Sequence, residues 1–315
     1  MKRCLIGILA TLLCAEANVF AQKVPVQETV LDNGLRILMV PRKGDPNVAV
    51  GWIARVGSVN ERPGITGLSH LFEHMMFKGT KAIGTKNIEA NLSLMKEMDE
   101  VRAEMRRAEV ELLRRQRLGE IVDVKDPQHR TPRYQELLKR FEELTKREKE
   151  MMVKEEFSSI YSNAGASSMN AGTSNDFTVY FINVPANKLE LWYWMESDRL
   201  ANPIFREFYA ERDVVFEERR MRTDSTPTGK FDEMYDSLFW QSSPYGWPVV
   251  GWPSDLEGIT REEALDYFAV NYAPNNLTAC LVGDFEPERA LELAKKYFAG
   301  CCAARASRNR CARAK

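Results

Sequence analysis

Gly67-Leu68-Ser69-His70-Leu71-Phe72-Glu73-His74-Met75-Met76-Phe77-Lys78-Gly79-Thr80 is the stretch around which the rest of the chain arranges itself. The residues after Gly64 read as a helix that runs to about Phe77. Positions three and four apart share a helix face. His70, Glu73 and His74 therefore point one way, and Leu71 and Phe72 point another, into a core. Two imidazoles at i and i+4 can grip one metal ion. A carboxylate one residue before the second His can reach a water on that ion. The chain has three histidines in all, and two of them are in this pentad. Taken alone, the pattern also fits a solvated helix face.

The composition sets bounds. The chain has 315 residues, room for one large or two ordinary domains. Apolar residues make up 44%, enough for a sizeable core, and charged residues 28%. A net charge of −1 gives no reason to expect nucleic acid or an anionic membrane as partner. Met1-Lys2-Arg3, an apolar run from Cys4 to Cys14, and Val19-Phe20-Ala21 describe a secretory signal peptide over residues 1–21. The run is too short for a permanent span, and no other stretch offers a stable one. Leu13 is bulky where a lipoprotein site at Cys14 needs a small residue. A secreted or periplasmic product is expected. Cys280 reads as a small core residue, and Cys301, Cys302 and Cys311 crowd into the end of the chain. Neither a disulfide framework nor a cysteine zinc site is legible.

Flanking the pentad, residues 27–40 alternate around Asp32-Asn33-Gly34 as two strands and a turn. Val48 to Val56 is a further strand. From Asn87 to about Leu118 the apolar positions fall three and four apart among charged residues. After Pro127 and Pro132 the pattern resumes and runs to Glu156. This predicts an antiparallel coiled-coil hairpin over 87–156, with His129 a surface residue near its tip. Strand character returns at Asn170 and from Phe177 to Val184. Helices follow at Leu189–Leu200, Phe208–Asp224, Arg261–Val270 and Pro287–Phe298, with a strand at Leu277–Val282. The fold class is α+β: an antiparallel sheet with helices packed on it and a long helical hairpin inserted.

A catalytic zinc needs three protein ligands and an open position. His70 and His74 supply two. The run Glu211-Arg212-Asp213-Val214-Val215-Phe216-Glu217-Glu218 offers the third, on a helix partly buried through Val214 and Val215. Glu211 and Glu218 are two turns apart and share a face. On spacing alone, Glu211, Glu217 and Glu218 are all candidates.

The chain resembles the pitrilysin/insulysin (insulinase) family of zinc peptidases, of the His-x-x-Glu-His inverzincin type, as in bacterial and mitochondrial processing peptidases. The matching pieces are Gly57-Ser58 with Glu61, the pentad with Met75 to Thr80, Asn170-Ala171 with Thr173-Ser174 and Asp176, Asp198-Arg199-Leu200, Glu211-Arg212 through Glu217-Glu218, and Pro244-Tyr245-Gly246. They stand in the family's order over about residues 25–298. The resemblance implies that His70, His74 and Glu218 bind one Zn2+ and that Glu73 is the general base for the zinc-bound water. It implies that Glu211 steadies the site and that Asn170 and Ala171 lie on an edge strand that pairs with substrate backbone. The implied activity is that of a zinc metalloendopeptidase acting on peptides or unfolded protein segments. The alternative is a catalytically weak or inactive family subunit that needs a second half, in a homo- or hetero-oligomer.

Two departures stand out. The gap between His74 and Glu218 is long, which the hairpin explains as an insertion in a catalytic domain of residues 22–300. The basic, acid-free, cysteine-rich tail at 301–315 reads as a frameshift or early stop, or else as the end of a natural half-enzyme.

Overall fold

The computed structural model describes residues 24–124 and 126–301. The predicted leader at 1–21 and all of the tail beyond residue 301 lie outside the described residues. In chain order the elements are β1 (Gln27–Val30), β2 (Arg36–Pro41), β3 (Asn47–Ala54), α1 (Leu68–Met75), α2 (Ile88–Arg117), α3 (Pro132–Met151), α4 (Glu156–Asn163), β4 (Ser167–Thr173), β5 (Thr178–Pro185), α5 (Leu189–Ala201), α6 (Phe208–Arg219), α7 (Gly229–Phe239), α8 (Pro253–Gly258), α9 (Arg261–Asn271), β6 (Leu277–Gly283) and α10 (Pro287–Phe298).

Period-two patterning builds the sheet. Val48, Val50, Trp52 and Ala54 of β3 are buried, as are Tyr180, Ile182 and Val184 of β5 and Leu277, Ala279 and Leu281 of β6. The intervening Ala49, Phe181 and Val282 face outward, the one-sided burial expected of an antiparallel sheet with helices on one face. Among the described residues the sheet has six strands in the order β1-β2-β6-β3-β5-β4. The expectation of a wholly antiparallel sheet needs one correction: β2 and β6 are parallel. β6 enters last, between β2 and β3, and pairs antiparallel with β3. Its two neighbours run in opposite directions, so one of its two pairings must be parallel.

The hairpin is present, with antiparallel register fixed by Arg133–Glu104 (2.7 Å), Arg140–Glu97 and Tyr134 Oη donating to Glu109 (2.8 Å). It ends sooner than the charge pattern indicated. α3 stops at Met151, and a turn with Glu155 at φ +53° separates it from α4. Nor is it a free insertion. Leu94, Met98 and Leu144 belong to the main core. Arg206 binds Asn91 Oδ1 at 2.8 Å, and Arg261 binds Asp99 at 3.0 Å. Only the distal part projects.

Behind the sheet, Arg199 is buried among the rings of Trp52, Phe77, Phe157 and Tyr180 and paired with Glu196. Glu196 also accepts from Trp52 Nε1 (2.5 Å) and Tyr161 Oη (2.7 Å). This buried polar knot locks α5 to the sheet. Cys301 is buried, its carbonyl 3.4 Å from Asn33 Nδ2.

Candidate functional site

α1 is shorter than the sequence indicated, beginning at Leu68 rather than just after Gly64. Gly67 caps it at φ +86°, and a Cβ there would lie 2.5 Å from Val250 O. Only glycine is free to take that conformation in that space. The exposed N–H groups of a helix start need acceptors. Glu61 supplies them, taking Gly67 N at 2.8 Å and Ser69 N at 2.6 Å. Burial pushes the Glu61 carboxyl up to about 8, against these two backbone donors. Ser69 Oγ also lies 2.7 Å from Tyr267 Oη, which ties α1 to α9. Leu71 and Phe72 are fully buried, as the spacing required.

The opposite face of α1 meets α6. His70 Nε2 lies 3.4 Å and His74 Nε2 3.3 Å from the same oxygen, Glu218 Oε2. Ligand atoms of the three residues all fall within 4.8 Å of one another. Donors held tetrahedrally at about 2.0–2.1 Å from one ion stand about 3.4 Å apart. The donor set and its spacing thus fit zinc. Burial drives His70 down to about 4, against the pull of Glu218, so its imidazole is neutral and can ligate at neutral pH. Among the described residues its Nδ1 is buried without a hydrogen-bond partner, and packing rather than a second hydrogen bond orients this ring.

Around these three stands a supporting set. Glu211 Oε2 is 3.5 Å from His74 Nδ1, and its other oxygen is 2.6 Å from Lys78 Nζ. Burial works to raise Glu211, but the bonds from His74 and Lys78 outweigh it and hold the carboxyl below its usual range. Burial works to lower His74, and Glu211 overrides it, so His74 stays above its ordinary value. Arg222 Nη2 holds Glu218 Oε1 at 2.8 Å. Glu73 accepts from Thr173 Oγ1 at 2.7 Å.

The structure therefore brings together His70, His74, Glu211 and Glu218, with Glu73 on the same helix as the histidines and held by Thr173. It does not bring in Glu217, which is 62% exposed in its side chain and paired with Arg220. Of the two valines expected to bury α6, Val215 does so, whereas Val214 is 46% exposed. Asn170 and Ala171 lie on β4, at the edge of the sheet. Ala171 N is held by Asn170 Oδ1 at 2.9 Å. Sequence reasoning gave no role to Thr173, Lys78 or Glu61, although all three lie within matching pieces of sequence. Tyr245 Oη bonds Asp176 at 2.8 Å, and Trp247 Nε1 donates to Ser58 O at 2.8 Å, so the Pro244 loop clamps the β4–β5 turn beside the site.

A family model described as Insulinase (Peptidase family M16) matches residues 36–113, and one described as Peptidase M16 inactive domain matches residues 258–305. The first match contains the pentad; Glu211 and Glu218 lie outside both. Zinc protease PqqE of Helicobacter pylori is 29% identical over 300 residues, which cover 93% of this chain and 52% of that protein. An uncharacterized zinc protease of Rickettsia bellii is 24% identical over 270 residues, 85% of this chain and 48% of that one. Among solved structures, a protease from Helicobacter pylori aligns with TM-score 0.64 and 23% identity, over 90% of this chain and 52% of that chain. The first half of the periplasmic protease PqqL from Escherichia coli aligns with TM-score 0.57 and 21% identity, over 90% and 48%. The chain spans about half the length of the curated relatives it matches.

Proposed function

We propose that this chain, which belongs to the insulinase family of peptidases (M16), is the catalytic half of a zinc-dependent endopeptidase that cleaves peptides or unfolded protein segments. The observation that carries this reading is the convergence of His70 Nε2 and His74 Nε2 on one oxygen of Glu218 at 3.4 and 3.3 Å, with Glu73 on the same helix. When bound, zinc would lower the pKa of water to about 7 and polarise the scissile carbonyl. The chain's own residues do the rest. His70, His74 and Glu218 hold the ion. Glu211, steadied by Lys78, orients His74 through Nδ1. Glu73 takes the proton of the attacking water and returns it to the departing amine. Asn170 and Ala171, on edge strand β4, offer backbone groups to an extended peptide, which would be read loosely in sequence. Read as a leader, residues 1–21 would carry the chain to the periplasm; PqqL, similar in fold, is named a periplasmic protease.

The test is cleavage of a quenched, unstructured peptide by residues 22–315 beside Glu73→Gln, with metal measured on both. One zinc on each chain and cleavage only by the wild type supports the reading. Cleavage by the Gln variant, or absence of zinc from both, overturns it.

One observation favours the second reading, a half that turns over poorly without its complement. α7, tied through Glu233 to Arg219 beside Glu218, has no buried residue, and its Phe231, Met234, Tyr235, Leu238 and Phe239 are all exposed. An apolar face of this kind marks an interaction surface. A second family half, in the same polypeptide or a partner, would cover it.

A further inference from the structure

Among the described residues, Glu73 has one hydrogen-bond partner, Thr173, whose Oγ1 donates to Oε2 at 2.7 Å. The two residues come from distant parts of the chain, Glu73 from α1 and Thr173 from the last position of β4. A half-exposed glutamate has three freely turning bonds, and fixing them costs side-chain entropy. A helix alone does not fix it. Thr173 is well suited to do so. Its branched Cβ restricts χ1, and its backbone is held in register by pairing with Thr178. A hydroxyl has a single proton to donate. Thr178 Oγ1 donates to Val56 O at 2.9 Å and faces Thr173 Oγ1 at 3.5 Å as a donor, so it makes no claim on the proton of Thr173. The proton of Thr173 is thus committed to Glu73.

We propose that Thr173 is a positioning residue for the proton transfer. Its hydroxyl holds Oε2 of Glu73, leaves Oε1 as the oxygen that takes and returns the proton, and ties the base to edge strand β4. The inference rests on the reading of Glu73 as the base. It adds that one strand sets the place of both the peptide and the base. A peptide pairing along the outer edge of β4 is therefore aligned with Glu73 through a single backbone segment rather than through two independent elements. Positioning errors of about 1 Å cost as much as 100-fold in rate, so losing the bond should act on turnover rather than on binding.

The experiment uses the full chain with Thr173→Val, Thr173→Ser and Glu73→Gln. Zinc per chain, kcat and KM for a quenched unstructured peptide, and the visible spectrum of the cobalt-substituted protein are measured on each. Expected for the Val variant are one zinc per chain, kcat down about 10- to 100-fold and KM within about threefold of wild type. The Ser variant, which restores the hydroxyl, should recover to within about fivefold of wild type. The cobalt spectrum of the Val variant should move in the direction set by Glu73→Gln. The proposal is overturned if the Val variant turns over like wild type, if Ser falls as far as Val, or if the loss is in KM or in zinc. If neither the wild type nor any variant cleaves the peptide, the half is inactive without its complement, and the cobalt spectrum decides alone. A shift with both Glu73→Gln and Thr173→Val supports the positioning contact. A shift with Glu73→Gln only, or with neither, overturns it.

Discussion

At the scale of single residues, the site depends on carboxylates whose environments differ sharply. Glu61 is buried, and its pKa is raised from 4.5 to about 8. A folded-state pKa above the unfolded one means that the folded protein holds a proton that the unfolded chain has released. Its contribution is fully present below about pH 4.5 and is lost as pH rises to about 8, by up to about 1.4 kcal/mol per pH unit. Urea unfolding of the wild type should therefore weaken across that window. Glu61→Gln, which does not titrate, should show a flatter slope; equal slopes would refute the assignment. Glu211 acts differently, bonded to both His74 and Lys78. Groups that orient a metal-binding imidazole typically contribute 10- to 100-fold in affinity. Glu211→Gln is expected to weaken zinc binding by about that factor in a chelator competition while leaving the melting temperature near wild type. The pentad was legible because helix spacing alone places His70, Glu73 and His74 on one face. Spacing left Glu211, Glu217 and Glu218 open as the third ligand and the resemblance implied Glu218; in the structure the packing of α6 turns Glu218 toward the two histidines and leaves Glu217 exposed beside Arg220.

At the scale of elements, the hairpin illustrates how far a pattern reaches. Its heptad-like spacing identified α2 and α3, but it could not say which end packs. The structure buries Leu94, Met98 and Leu144 in the common core and leaves the tip projecting. Removing all of 87–156 is expected to abolish folding. Cutting only 110–133, just beyond the Tyr134–Glu109 bond, and closing the gap with a short Gly/Ser loop should leave zinc content and the melting transition close to wild type. Circular dichroism melts of the two deletions check this; a folded 87–156 deletion would contradict it. α7 is the converse case. Phe231, Met234, Tyr235, Leu238 and Phe239 have full helix spacing, a signal available in the sequence and passed over in its reading. Spacing predicts a buried face, and here that face is bare. Arg219 anchors the helix instead, gripping Glu233 with two bonds at 2.7 and 2.9 Å.

At the scale of the whole molecule, the six strands among the described residues carry helices on one face, and the candidate metal site lies where α1 meets α6. No helix among the described residues is long and apolar enough to cross a membrane. The chain spans about half of its curated relatives, and the exposed α7 face belongs to a helix tied to Arg219, the residue after Glu218. Supplying the second half of a family member in trans is expected to raise peptide turnover. Replacing Phe231, Tyr235 and Phe239 with Ser should abolish that increase without changing zinc content. Turnover indifferent to the added half would count against the two-half reading.

Local physics read from the amino acids was enough for the helical pentad, for the alternating strands, for the hairpin and for the α+β class. Each of these depends on residues a few positions apart, where periodicity carries the information. The parallel seam between β2 and β6, the rooting of the hairpin in the core, and the contacts of Glu61, Lys78 and Thr173 needed the folded chain. These join residues far apart in sequence, and for such pairs the geometry comes from how the elements pack, which no local spacing encodes.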